Sequence, residues 1–314
     1  MTQPAFTLVD VGARGTLDAR WRRFADSLRV IAIDADEAAP VHAEGAARHD
    51  VIRAAVGAAL GPSPFYITRS AGSSSTLRPN RALLARFPEA ERFDVVNETT
   101  LVVQPLDEVL GAAGVTGVDF LKLDTQGSEL AILEGAPVAL ASAVGVEVEV
   151  EFVQMYEGQP TFGDVDRFLT ARGFELFDLN RVYWRRRAGP PTGRGQLIFA
   201  DALYLRSVDS LLDVPADGGR RLASAVLAAA AYGYVDYART LLAAGEERRG
   251  FGEGTAELAA TWLARVDHGP GRLARLTGAV RGFGSVSRAL ARLADALRPD
   301  HWAYADGRLG NSRK

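Results

Sequence analysis

The chain has 314 residues, of which 47% are hydrophobic and 24% charged, with a net charge of −3 and no cysteine. Its length suits one large or two ordinary domains, and its composition is that of a globular protein. The charge gives no general pull towards nucleic acid or an anionic membrane, and the missing thiols exclude disulfides, thiolate catalysis and cysteine–zinc centres.

Residues 6–15, FTLVDVGARG, set the first expectation. A strand over residues 6–9 is closed by Asp10, Gly12 and Gly15 open a tight turn, and residues 16–24 start a helix. This is the front half of a nucleotide-binding βαβ unit, in which small residues admit backbone amides to a ligand and a helix N-terminus favours an anion. The dinucleotide fingerprint is absent, because Arg14 and Leu17 stand where G-x-G-x-x-G needs glycine. An acid two residues before the first glycine suits a ligand with an amine and a carboxylate, such as S-adenosylmethionine. Residues 28–33 (LRVIAI) form a buried strand ended by Asp34. An acid at about that distance from the turn accepts hydrogen bonds from ribose hydroxyls. Asp36 is either a second such acid or a solvated one.

Residues 37–49 read as a helix, irregular around Pro40, with His42 and His49 on its surface. Strands follow at 51–60, ending in a Gly61–Pro62 turn, and at 64–68. The Gly/Ser-rich stretch 69–80 is a loop, either a plain connector or a carrier of binding residues. Residues 97–103 are β-like and a short helix starts at 105–110. The stretch 118–135, VDFLKLDTQGSELAILEG, is a strand to Leu123, a turn eased by Gly127 and a helix from Glu129. In sheets of this kind ligands bind outside the carboxyl ends of the strands, which puts Asp124 where an acceptor would lie. Along residues 145–152, Glu147, Glu149 and Glu151 share one face and Val146, Val148 and Val150 the other. Three acids on one face are costly to bury unpaired. Lys122, one of two lysines in the chain, is placed to pair with one of them, as a structural ion pair or as catalytic apparatus. A helix at 164–172 and strands at 174–179 and 196–205, joined by the Arg/Pro-rich segment 185–194, complete the order. It predicts an α/β fold, a mostly parallel sheet with an antiparallel hairpin at one edge.

From about residue 207 the chain becomes Ala/Leu-rich and helical, over 221–244 and 255–266, with glycines at 245, 250, 252 and 254 between. Residues 270–297 are apolar and carry Arg272, Arg275, Arg281, Arg288 and Arg292 with no acid between the first and last of these, which reads as a solvated helix face, or else as an interfacial membrane helix or a site for an acidic partner. The expected division is a domain at 1–206 and a helical region at 207–314, the latter a candidate surface for a second copy or a partner. The run 222–232 is too short to span a bilayer, and the first residues have no basic n-region, so a cytoplasmic location without a transmembrane segment is expected.

The block VDFLKLDTQGSELAILEGA resembles the signature of the FkbM-type methyltransferases. So do FTLVDVGARG, LDEVL at 106–110, EVEFVQMYEGQP at 149–160 and GQLIFADALYLR at 195–206, a likeness covering roughly residues 5–206. The resemblance implies a class I methyltransferase fold: a doubly wound, mostly parallel seven-stranded sheet, here with a C-terminal all-helical appendage. It implies an S-adenosylmethionine-dependent O-methyltransferase acting on a hydroxyl of a sugar or natural product. It would give cofactor binding to Asp10, Gly12, Ala13, Gly15, Asp34 and Ala35, with Ala55 and Val56 lining the adenine pocket. Gln126 stands where many members carry Glu, so that carboxylate is not the indispensable base here. Asp124, Glu149 and Glu151 are the candidate bases, with Lys122 tuning one of them; their spacing is no recognised metal site and no metal is assigned. His268 and His301 serve only if the tail caps the site. Two readings compete. A Rossmann oxidoreductase using NAD is opposed by the missing fingerprint glycines, and a non-catalytic scaffold by the intact Asp10, Gly12, Gly15 and Asp34 set.

Overall fold

The computed structural model describes residues 5–37, 39–188, 195–212, 219–247, 250–252 and 254–266. Its strands in chain order are β1 (Phe6–Val11), β2 (Gly15–Thr16), β3 (Leu28–Ile33), β4 (Val41–His42), β5 (Arg48–Ile52), β6 (Ala55–Gly57), β7 (Gly61–Thr68), β8 (Val95–Pro105), β9 (Phe120–Leu123), β10 (Gly145–Glu151), β11 (Phe174–Trp184) and β12 (Gln196–Arg206). The helices are α1 (Ala19–Arg22), α2 (Arg81–Leu84), α3 (Leu106–Ala112), α4 (Glu129–Glu134), α5 (Pro137–Ser142), α6 (Phe162–Thr170), α7 (Val208–Leu212), α8 (Arg220–Ala231), α9 (Val235–Glu247) and α10 (Thr255–Ala264). One large sheet has the order β11-β12-β10-β9-β1-β3-β5. Its pairs from β10 through β9, β1 and β3 to β5 are parallel, and β12 is antiparallel to both β10 and β11. The protein is therefore mixed α/β with a large, mostly parallel sheet. Strands β6, β8 and β7 make a second, three-stranded sheet.

The alternation along β10 sorts the two faces of the large sheet. Val146, Val148 and Val150 enter one apolar cluster with Val9, Val11, Leu121 and Leu123 of the neighbouring strands and with Leu110, Ile132, Leu140 and Leu169 of helices α3 to α6. Helix α6 starts cleanly because Thr161 and Asp164 form a capping box, each side chain accepting from the other's backbone amide. On the opposite face the end of the sheet formed by the N-terminal halves of the parallel strands and the C-terminal half of β12 is apolar. Phe6, Leu8, Leu28, Phe120, Leu203 and Leu205 share a cluster with Trp21 and with Leu222, Val226, Leu227, Leu241 and Trp262 of α8 to α10.

The C-terminal helices expected as an appendage are thus a layer of the sheet's own core. A buried carboxylate fastens them: Asp119 Oδ2 accepts from the amide of Thr7 at 2.7 Å and from Arg220 Nη2 at 2.8 Å, while its Oδ1 accepts from Ser224 Oγ at 2.8 Å. Burial raises the Asp119 pKa, and Arg220 and these hydrogen bonds pull against it.

Several local expectations are corrected. Residues 37–49 hold no helix among those described: β4 lies at 41–42, and β5, which contains His49, pairs in parallel with β3. Arg29 Nε and Arg48 Nε both reach Asp50 Oδ2, at 2.8 and 2.9 Å, a cross-strand clasp that outweighs the local helix preference of the alanines. The expected strand at 51–60 is divided between β5 and β6, and Gly61–Pro62 begins β7 instead of making a turn. The helix expected at 16–24 shrinks to α1, capped by Asp18, because Gly15 and Thr16 pair with β4. Residues 270–297 with their five arginines, and His268 and His301, lie outside the described residues. Among the described residues no helix is long and apolar enough to cross a membrane.

Because sheet and C-terminal helices share one core, thermal unfolding followed by circular dichroism and by tryptophan fluorescence is expected to show one coincident transition; two separated transitions would refute the shared core. Leu227 is fully buried in α8, and Leu227→Ala should cost about 2–5 kcal/mol in urea unfolding without splitting that transition.

Candidate active site

The polar residues of the helix-covered face gather at the carboxyl ends of β1, β9 and β10. Asp10 and Lys122 are register partners on adjacent strands, and Lys122 Nζ donates to Asp10 Oδ1 at 3.0 Å. Burial opposes the charge on Lys122, but the carboxylates of Asp10, Asp124 and Glu147 outweigh it and hold its pKa above the ordinary lysine value. The expected partner of Lys122, a β10 glutamate, is therefore replaced by Asp10 as the hydrogen-bonded one. Glu147 is answered instead by Arg20 Nη1 of α1 at 3.0 Å and by the Tyr232 hydroxyl at the end of α8.

The turn after β1 needs glycine for a steric reason. Gly12 has φ +78°, and a Cβ there would stand 1.9 Å from the Asp124 carbonyl oxygen, so the β1 turn presses directly on the end of β9. Its amides are not offered to a ligand as the sequence suggested. Gly12 and Ala13 both donate to Ile33 O, at 2.8 and 3.2 Å, and Gly15 donates to Pro40 O at 2.7 Å. What the turn leaves is room: nothing lies within 4 Å of a Cβ built on Gly15.

Asp34 ends β3 next to this turn. Its Oδ1 accepts the Asp36 amide at 2.7 Å, and Arg14 Nε stands 3.4 Å from its Oδ2 while Arg14 Nη2 donates to Asp36 at 3.0 Å. Burial pushes the Asp34 pKa up, against the pull of the Asp36 amide and of Arg14. Arg14 entered the sequence reading only as a break in the fingerprint; its grip on Asp34 is visible only in three dimensions. Ala35 is exposed beside Asp34. Ala55 and Val56 sit in β6 of the smaller sheet, paired with Val103 and Gln104, and Val56 is part of the apolar core.

The third group is a buried acid cluster around the turn after β9. Glu147, Glu149 and Glu151 are 8%, 6% and 2% exposed, so the whole acidic face of β10 is indeed buried. Glu129 closes the turn: its Oε1 accepts from the Thr125 amide at 2.7 Å and its Oε2 from the Gly127 amide at 2.9 Å. Gln126, unmarked by the sequence except as a departure from Glu, lies between the acids. Its Nε2 donates to Asp124 Oδ1 at 3.1 Å and to Glu149 Oε1 at 2.9 Å. Its Oε1 lies 3.3 Å from the Tyr156 hydroxyl, another residue the sequence did not flag. Burial drives Glu149 well above the ordinary carboxylate range, and Asp124, Glu151, Glu129 and Asp201 add to it. Burial does the same to Glu151, whose Oε1 is buried without a hydrogen-bond partner. Among the described residues no three His, Asp or Glu side chains are disposed to hold a metal ion.

Beside this cluster a cleft of about 260 Å³ opens between β10, β12 and the end of α8. Arg20, Glu147, Asp178, Asn180, Asp201 and Tyr232 are among the residues that line it. Asp201, the register partner of Glu149, accepts from Asn180 Nδ2 at 3.1 Å. Burial first, then Glu147 and Asp124, push its pKa up to about 6.

Comparison with the curated proteins and with the solved structures gives no match. The model of the methyltransferase FkbM domain matches residues 10–176, which run from Asp10 through the acid cluster to the start of β11 and make up more than half of the chain. The chain belongs to the FkbM methyltransferase family.

Proposed function

We propose that the protein is an S-adenosylmethionine-dependent O-methyltransferase acting on a hydroxyl of a sugar or natural product, built on a doubly wound class I methyltransferase core. The observation that carries this reading, beside family membership, is the presence of Asp10, Asp34 and Asp124 at the carboxyl ends of the adjacent strands β1, β3 and β9. The residues fit such a ligand in two respects. Two carboxylates stand at strand ends around a turn whose Gly15 leaves open space, and the turn's own hydrogen bonds hold its shape before any ligand arrives. S-adenosylmethionine, when bound, supplies a methyl group already activated by its sulfonium.

The chain's own residues have the remaining tasks. Asp34 accepts from the ribose hydroxyls once Arg14 yields one of its oxygens, and Asp10 is held ready by Lys122. Gly12, Ala13 and Gly15 shape the floor, and Ala35, Ala55 and Val56 border the adenosine. Asp124 takes the proton of the acceptor hydroxyl, a contribution of about 10²–10⁴ to the rate for a placed base. Glu149 and Glu151 surround Asp124 with buried carboxyl groups. The cleft at Arg20, Glu147 and Asp201 receives the body of the acceptor. On this division residues 1–206 hold the cofactor, and the region from 207 supplies Tyr232 to the acceptor wall.

Calorimetry with S-adenosylmethionine tests the reading. Saturable binding is expected, weakened about 10- to 100-fold by Asp34→Ala through loss of charged hydrogen bonds to the ribose. No heat of binding to the wild-type protein would overturn it. Asp124→Asn should lower S-adenosylhomocysteine release on a panel of sugar and polyol hydroxyls at least about 100-fold while leaving cofactor affinity unchanged.

A pH dependence follows from the buried acids. The folded pKa of Glu149 lies well above the value of 4.5 for an exposed glutamate, so the native state binds the extra proton. Its stability contribution is fully present below pH about 4.5 and is lost as pH rises through the folded pKa. Glu149→Gln should therefore raise the melting temperature at pH 7–8 and leave it unchanged near pH 4, as read by scanning calorimetry across that range.

A further inference from the structure

We propose that Gln126 is a positioning residue: its side-chain amide, giving one hydrogen to Asp124 and the other to Glu149, locks the two carboxylates into one acid–base unit and aims Asp124 at the acceptor hydroxyl. This rests on the methyltransferase reading above. Three observations support it. Gln126 has φ +61°, a left-handed conformation that is strained for a residue with a side chain and persists where its surroundings demand it. It is anchored at both ends: its backbone carbonyl accepts from Ser75 Oγ at 2.7 Å, and its side chain meets Asp124, Glu149 and the Tyr156 hydroxyl. Tyr156 is itself fixed, with its hydroxyl 2.9 Å from Ser73 O.

Chemistry explains why an amide belongs there. Two carboxylates facing each other need donors between them, and a primary amide has two N–H groups on one nitrogen and no charge. The surroundings are already acidic on every side. Asp124 comes from the end of β9, Glu129 from α4, Glu147 and Glu151 from β10 and Asp201 from β12; of the cations, Lys122 and Arg20 are hydrogen-bonded to Asp10 and Glu147, and Arg92 acts on Tyr156. A glutamate at 126 would, ionised, add a further negative charge and donate nothing, or, protonated, donate a single hydrogen. A leucine would fill the space and donate nothing. The side chain is set by the loop holding Ser73 and Ser75 and by Tyr156, so movement of either segment is transmitted to Asp124 through Gln126.

The test uses the full chain without cofactor, so it can fail while the methyltransferase reading stands, and calorimetry with S-adenosylmethionine tests that reading separately. Carbon-13 NMR of the Asp and Glu carboxyls is followed against pH in the wild type, Gln126→Leu and Gln126→Glu. In the wild type the Glu149 carboxyl should titrate well above the ordinary carboxylate range. Its midpoint should rise by about one pH unit or more in Gln126→Leu, and further in Gln126→Glu, where an additional carboxyl stands beside it. An unmoved Glu149 midpoint in both variants would overturn the proposal. If a variant does not fold, the wild-type Gln126 side-chain NH₂ decides. Slow solvent exchange of both its hydrogens is expected, and fast exchange of either would overturn the two-acid bridge.

Discussion

A row of three glutamates on one face of a central strand is the constraint to which the rest of the molecule answers. Burying a carboxylate without partners costs several kcal/mol, so each member of the row has to be met by something. The three are met differently. Glu147 receives a guanidinium from α1 and a phenol from the helical layer, Glu149 receives a neutral amide, and Glu151 keeps one oxygen without any partner. The gradient runs along the strand, from a neutralised end under the helices to an acidic end that is the most deeply buried of the three. The valines between them feed the opposite core and leave the strand no freedom to turn over, because a slip of one residue would exchange the faces.

Much of this was legible in the sequence. The alternation in GVEVEVE gave both faces of β10, and the strands of the 118–123 and 196–205 stretches lie within one to two residues of expectation. The acids at the ends of β1, β3 and β9 stand where the pattern of strand then glycine turn put them. What failed was governed by neighbours distant in the chain. Residues 37–49 are rich in alanine and acid, which favours a helix locally, yet β5 is claimed by β3 and by the Arg29–Asp50 clasp. Lys122 is expected to pair with a glutamate of β10, but its hydrogen-bonded partner is Asp10, because β9 lies beside β1 as well, a crossover that periodicity does not encode. The amides of the glycine turn were expected to face a ligand because their own acceptors, Ile33 O and Pro40 O, come from segments whose approach no local pattern announces.

Helical layer and acid cluster are not independent parts. Tyr232, just past the end of α8, touches Glu147, stacks on Phe120 at 5.4 Å and lies under the Arg20 guanidinium at 4.5 Å. Trp21 packs edge-on against both rings, at 5.0 Å from Phe120 and 5.7 Å from Tyr232. One aromatic stack thus carries the boundary between the dry half of that sheet face and its charged half. The acidic end keeps its geometry because the apolar end is closely packed, with interlocking rings that admit little rearrangement.

The closing of that face by α8 to α10 also orders events during synthesis. Leu241 and Trp262 are made more than 200 residues after Phe6, Leu8 and Trp21, with which they share a cluster. At ordinary bacterial or eukaryotic elongation speeds the interval is on the order of ten seconds or more. Through that time the nascent sheet presents a bare aromatic surface, a target for holding chaperones and for misassociation with neighbouring chains.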